Sequence, residues 1–190
     1  MQTVSILHPT LWRTCRVLAN RKRLQILAFV FQNPGKTVSF ISNEVRLPMP
    51  VASNYLRSLE ARGILTVQRI ANRVKYFPAT GKSATSKELV IALRKVFYRQ
   101  NEAIDMIFKT VTAFTHPRRV EIYRALQGKA LSFEHLRNIT HISTPALRRH
   151  LNKLKSRAFV AVESNRFVPR HQTNALAQQL ARMAMDKQTN

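Results

Sequence analysis

Acidic residues are scarce in this chain. Its 190 residues include 9 Asp and Glu against 32 Lys and Arg, a formal net charge of +23, with an isoelectric point near 11.6. So few carboxylates leave no paired acids and no nucleophile–base arrangement to read, and no enzyme is expected. Cysteine is almost absent too. Cys15 stands alone, which excludes an intramolecular disulfide and a thiolate metal cluster. Glycine occurs four times, too thinly for a glycine-rich phosphate loop. The six histidines, at 8, 116, 135, 141, 150 and 171, show no metal-ligand spacing. No metal and no cofactor are implied. No apolar run approaches the ~18 to 20 residues of a membrane span; "LQILAFVF", Leu24–Phe31, ends too soon and reads as a buried helix. The amino terminus has no basic start and no small-residue cleavage site, so no signal peptide is expected.

What is present is apolar residues in ordinary number, 45%, enough for one or two small domains. The charge is not ordinary. It calls for a polyanionic partner and carries no information about fold. It is also unevenly placed: residues 1–82 hold 13 basic and 2 acidic residues, 113–190 hold 14 and 4, and the intervening 83–112 hold 5 and 3.

The chain repeats itself. At an offset of 95, Pro50 meets Pro145, Leu56 meets Leu151, Leu59 meets Leu154 and Arg62 meets Arg157. Upstream, Asn20–Leu27 lies over His116–Tyr123 at an offset of 96. Downstream, "KYFP" (Lys75–Pro78) lies over "RFVP" (Arg166–Pro169) at 91. An inter-helix loop is thus one residue shorter in the second copy, and the hairpin four shorter.

Each copy reads as three helices and a hairpin. In the first, apolar spacing predicts helices over Arg21–Phe31, Val38–Val45 and Pro50–Arg62. Strands are predicted over Ile64–Arg69 and Val74–Phe77, with a tip at Ala71-Asn72. In the second, strands fall at Phe159–Glu163 and Arg166–Val168 around Ser164-Asn165. Pro50 and Pro145 suit a first helical turn. Ser143 or Thr144 suits a cap. Gly63 suits a left-handed stop, and Ala158 fills the same slot less comfortably. Residues 83–114 contain neither Pro nor Gly and read as one helix of about 45 Å, or two broken near Asn101. Further helices are expected at 9–19 and 173–185.

This arrangement is the winged helix-turn-helix. The segments "LANRKRLQIL" with "VSFISNEVRLPMPVASNYLRSLEARGIL", and "AFTHPRRVEIY" with "FEHLRNITHISTPALRRHLNKLKSRAFV", resemble ArsR-type bacterial regulators. The expected fold is mainly α with short β-hairpin wings: two winged units in tandem, at 1–82 and 113–190, joined by a helical connector at 83–112. Such regulators dimerise through helices flanking the winged unit. The resemblance therefore implies a single-chain dimer with pseudo-twofold symmetry, its core made by 9–19, 83–114 and 173–185, with further self-association left open.

The resemblance also implies double-stranded DNA as partner, no membrane, and a cytoplasmic, nucleoid-associated location. The third helix of each unit would enter a major groove. Off its buried stripe stand Thr144, Arg148, Arg149, Asn152 and Lys153 in the second copy, and Met49, Ser53, Asn54 and Arg57 in the first. Arg148 and Arg149 suit guanine and Asn54 suits adenine. Wing residues Arg69, Asn72, Arg73 and Lys75, with Asn165 and Arg166 in the second copy, suit phosphate contacts. Arg23 and Arg119 occupy the family's arginine position, where a structural or phosphate-binding role is expected. His150 is read as a packing residue, and Cys15 as a small buried one, with a redox switch as its alternative. A sequence-specific transcriptional regulator is the leading expectation. A low-specificity architectural or replication-associated DNA protein is the alternative, and an RNA or protein-assembly module a third reading.

Overall fold

The structure is a computed structural model and describes residues 10–80, 84–99 and 102–186. Helix α1, Leu11–Leu18, buries Leu11, Thr14, Cys15 and Leu18, the one-face spacing of an amphipathic helix. Asn20 caps α2, Arg21–Gln32, by accepting from the Arg23 N–H at 2.9 Å. The chain turns through Gly35, whose φ of +80° favours a residue without Cβ. It forms the short strand β1, Lys36–Thr37, then α3, Val38–Glu44, and α4, Met49–Glu60.

Pro50 lies in the first turn of α4, and Ala52, Leu56 and Leu59 form its buried stripe. Gly63, at φ +65°, ends the helical run. Strands β2, Leu65–Ile70, and β3, Arg73–Pro78, pair antiparallel. Strand β1 joins the far side of β3, giving the order β1-β3-β2. That third strand was not expected from sequence: two residues carry no period to read.

The connector is broken, into α5, Ala84–Arg99, and α6, Ala103–Val111. Asn101 itself lies outside the described residues. A 3-10 turn, Thr112–Phe114, leads to α7, Pro117–Ala125, then α8, Phe133–Thr140, and α9, Thr144–Ser156. Ser143 holds the cap position of α9, yet its side chain makes no capping bond, and Thr144 is already helical. Ala158 adopts φ +59°, the strained stop expected of it. Strands β4, Val160–Glu163, and β5, Arg166–Pro169, close on Ser164 and Asn165, both left-handed as a tight hairpin turn requires. Helix α10, Ala175–Met185, follows a cap by Asn174.

Elements recur at the same offsets as the sequence pattern. Leu11, Cys15 and Leu18 of α1 correspond, 96 residues on, to Ile107, Val111 and Phe114, and all six are fully buried. Helices α5 and α10 begin 91 residues apart, at Ala84 and Ala175. The Lys36–Tyr76 strand pairing has its counterpart in a single bridge from Leu131 to Phe167.

The buried side chains of both halves form one cluster. In it, α5 lies against α10, and α1 against α6 and the 3-10 turn. Phe114 stands at its centre, edge-on to Phe159 at 4.7 Å and to Tyr123 at 5.3 Å between centroids. No helix among the described residues is long and apolar enough to cross a membrane.

A shared core predicts one cooperative transition. Phe114→Ala should cost about 3–5 kcal/mol. Urea curves followed by Trp12 fluorescence and by far-ultraviolet circular dichroism should shift together; a shift in one signal alone would show two separate cores.

Candidate nucleic-acid interface

Helix α9 has two unlike faces. Leu147, Leu151 and Leu154 are buried, together with His150, and anchor the helix on α7. Arg148, Arg149 and Asn152 point to solvent. Thr144 and Lys153 are half-buried at the margins. The Arg148 guanidinium lies 6.0 Å from the Phe133 ring, at the limit of a cation–π contact, which keeps it near α8 without consuming its hydrogen-bond donors. No carboxylate is paired with Arg148 or Arg149 among the ion pairs formed by the described residues; those join Arg21 to Asp105, Arg118 to Glu121 and Arg137 to Glu134, all exposed.

Helix α4 presents a different surface. Met49, Asn54 and Arg57 are exposed and Ser53 half-buried. Beside them the sequence reading missed Val51 and Phe40, which are 36% and 43% exposed. Their signal was legible: Val51 falls outside the Ala52, Leu56, Leu59 stripe. This end of the first half is apolar where α9 is cationic.

The wings also differ. Strand register puts Arg73 opposite Ile70 and Lys75 opposite Gln68, while Arg69 faces Val74. Directly opposed residues share a face of the sheet. Arg73 and Lys75 therefore share one face, and Arg69 stands on the other, so the first wing carries cations on both of its faces. Asn72 is exposed at the turn. In the second wing Arg166 is opposite Glu163 in the strand register, and Asn165 is left at the exposed tip.

Arg23 and Arg119 are structural tethers. The Arg23 Nη1 donates to the Val17 carbonyl at 2.6 Å and its guanidinium covers the Tyr55 ring at 4.8 Å. Arg119 donates to the Thr115 hydroxyl. Each ties its helix to the turn before it. Burial is the main cause that lowers the pKa of both.

His150 is 5% exposed, and its ring lies 4.6 Å from that of His116. Burial, then His116 and the cations Arg119, Arg149 and Arg118, push its pKa down to about 4. It is a packing residue, and sequence alone did not place His116 beside it. Cys15 is fully buried and its thiol pKa is raised by that burial. Among the described residues no group of three or more His, Cys, Asp or Glu is gathered closely enough to hold a metal ion.

Three helices and an antiparallel hairpin, with a two-faced third helix, are the geometry of a winged helix-turn-helix. Residues 116–161, from the cap of α7 into β4, match the family described as bacterial regulatory protein, arsR family. That segment carries an ArsR-type helix-turn-helix and points to a DNA-binding transcription regulator. No curated protein matches the chain.

A histidine with a folded pKa of about 4, below the ordinary ~6.5, contributes stability that is complete above ~6.5. That stability is lost as pH falls through about 4, because the unfolded chain takes up its proton first. Urea midpoints of the native chain should therefore drop between pH 7 and pH 4. His150→Tyr, which places at 150 the residue found at 55, should drop less over the same range.

Proposed function

We propose that the chain is a DNA-binding transcriptional regulator built as a single-chain pseudo-dimer of two ArsR-like winged units, without a metal-sensing site. The observation that carries this reading is the outward face of α9, where Arg148, Arg149 and Asn152 stand exposed opposite a buried leucine stripe, inside the segment that matches the family.

The recurrence of buried positions at fixed offsets supports two units. The domains are 1–82 and 113–190 with the connector 83–112 between them. Within the connector, α5 corresponds by offset to α10 and α6 to α1. The packing of α5 on α10 and of α1 on α6 supports a dimer-like core within one chain.

In this reading α4 and α9 enter successive major grooves, about 34 Å apart. Arg148 and Arg149 read guanine, and Asn54 reads adenine. Met49, whose side chain is 53% exposed, contacts thymine methyls. Ser53, Arg57, Thr144, Asn152 and Lys153 complete the two faces, and Arg69, Asn72, Arg73, Lys75, Asn165 and Arg166 hold the backbone. The faces differ, so the preferred site is asymmetric. Lacking a membrane segment in this reading, the protein acts on nucleoid DNA in the cytoplasm. Its affinity falls steeply with salt, because each neutralised phosphate releases counterions.

Fluorescence anisotropy with the duplex upstream of its own gene and a scrambled duplex, at about 0.15 M salt, tests this. The native sequence should bind on the order of 10³-fold tighter or more. Arg148→Ala should reduce that ratio by the worth of one base contact, about 1–3 kcal/mol. Arg73→Ala should weaken both duplexes alike and lower the salt slope by about one. Equal binding of both duplexes, with equal losses in both variants, would replace this reading with that of a low-specificity architectural protein.

A further inference from the structure

A cleft of about 430 Å³ opens between α7 and α9, lined by His116, Arg119, Arg149, His150, Asn152, Lys153 and Ser156. It adjoins a second concavity, of about 590 Å³, against α1, which shares His116 and Arg119 and adds Arg16 and Trp12. Neither lining includes a carboxylate. The Arg119 Nε is buried without a hydrogen-bond partner, as is the Nε of its first-half counterpart Arg23, so this feature is common to both halves.

The first half supplies an internal control. The positions that correspond to His116, Arg149, His150 and Lys153 are Asn20, Asn54, Tyr55 and Ser58. Only the arginine is kept, as Arg23, and it is covered by the Tyr55 ring. Ser58 donates to the Asn54 carbonyl of its own helix at 2.7 Å. Four cationic or titratable positions of the second-half corner thus have neutral counterparts in the first, while the reverse holds at Asn152, whose counterpart is the exposed Arg57. Winged-helix packing does not require those cations, so they answer to something else.

We propose that the cleft between α1, α7 and α9 is a phosphate-binding site of the second half only, formed by Arg16, His116, Arg119 and Lys153, beside Arg149, which the proposed function gives to base contact. Its ligand is a phosphate-bearing anion, either a free phosphorylated small molecule or a backbone phosphate of bound duplex. The volume exceeds that of a single ion and suits at least a diphosphate.

Electrostatics agree with the geometry. Burial comes first in depressing His116, His150, Arg119 and Lys153, and repulsion from neighbouring cations adds to it; on Arg119 the buried Cys15 acts in the opposite direction before the repulsion of Arg157. The groups facing the two imidazoles are Arg16 on α1, Arg118 and Arg119 on α7, and Arg149 on α9; Arg157 faces Lys153 and Arg119, and the buried Cys15 faces Arg119. An anion relieves that repulsion and raises both histidine pKa values. Binding then takes up protons, and affinity rises as pH falls from about 7 towards 5.

The test is a titration of the full chain with sodium pyrophosphate, without DNA, following the histidine imidazole signals by NMR. His116 and His150 should shift saturably, with a Kd of about 1 mM or tighter, and their pKa values should rise. His135 and His141, which lie outside the cleft, report non-specific effects. Lys153→Ser and Arg16→Gln replace side chains at the edge of the cleft, and circular dichroism checks their folding. Each should weaken binding by about fivefold or more. A second titration uses duplex DNA. Duplex that moves the same two signals and blocks pyrophosphate assigns the ligand to the DNA backbone, as does a response to duplex but not to pyrophosphate. Duplex that leaves pyrophosphate affinity unchanged assigns the site to a free molecule. No response of His116 and His150 to either titrant, equal shifts of all histidines, or undiminished affinity in both variants overturns the proposal. Failure of the chain to bind duplex at all would sink the regulator reading and leave the pyrophosphate result standing.

Discussion

Everything in this molecule hangs on the packing of its flanking helices against one another. Alone, α5 would expose Leu89, Val90 and Leu93, and α1 would expose Leu11, Cys15 and Leu18; all six are buried. Burying a large aliphatic side chain is worth about 1.5–3 kcal/mol, so neither set is tolerable in water. Against α10, α6 and the 3-10 turn they disappear into one cluster that also holds Phe114, Tyr123 and Phe159. The helices that carry the outward-facing residues, α4 and α9, are mounted on that cluster through Leu56, Leu59, Leu151 and Leu154. Their mutual placement is a property of the core, not of a flexible tether.

The core also explains where the charge is allowed to be. With 32 basic and 9 acidic residues, most cations have no acid to pair with. They are tolerable because they stand in solvent, where screening is strong, and the three ion pairs among the described residues lie at the surface as well. The exceptions are instructive. Arg23 and Arg119 are half-buried, and each reaches an oxygen of the turn that precedes its helix. Cations also crowd around His116 and His150, where Arg119 is joined by Arg16, Arg149 and Lys153.

Much of the fold was legible because its signals are periodic. The leucine stripes of α4 and α9 follow the helical repeat, and internal repetition doubled the evidence for each. Gly63 and Ala158 showed where helices stop. Other features carried no such signal. Strand β1 is two residues long, too short for alternation. The break between α5 and α6, near Asn101, is one of two alternatives in the sequence, because neither Pro nor Gly decides between one helix and two. The capping role expected of Ser143 failed because side-chain type permits a cap without imposing one. For the interface, the polar face of α9 followed from the stripe, but the split of Arg69 from Arg73 and Lys75 depends on strand register, which the turn decides. The His116–His150 contact joins residues 34 positions apart on different helices, and only the assembled core brings them together.

The inequality of α4 and α9 has a consequence for direction. A symmetric homodimer on a palindrome has no front or back. A single chain that presents Met49, Asn54 and Arg57 at one end and Arg148, Arg149 and Asn152 at the other has both. In the proposed function it would sit on DNA with a fixed heading, and so tell upstream from downstream. Because both halves arrive on one polypeptide, no prior encounter between subunits is needed. Occupancy would then follow the first power of protein concentration rather than the second, giving a graded response where a dissociable dimer gives a threshold.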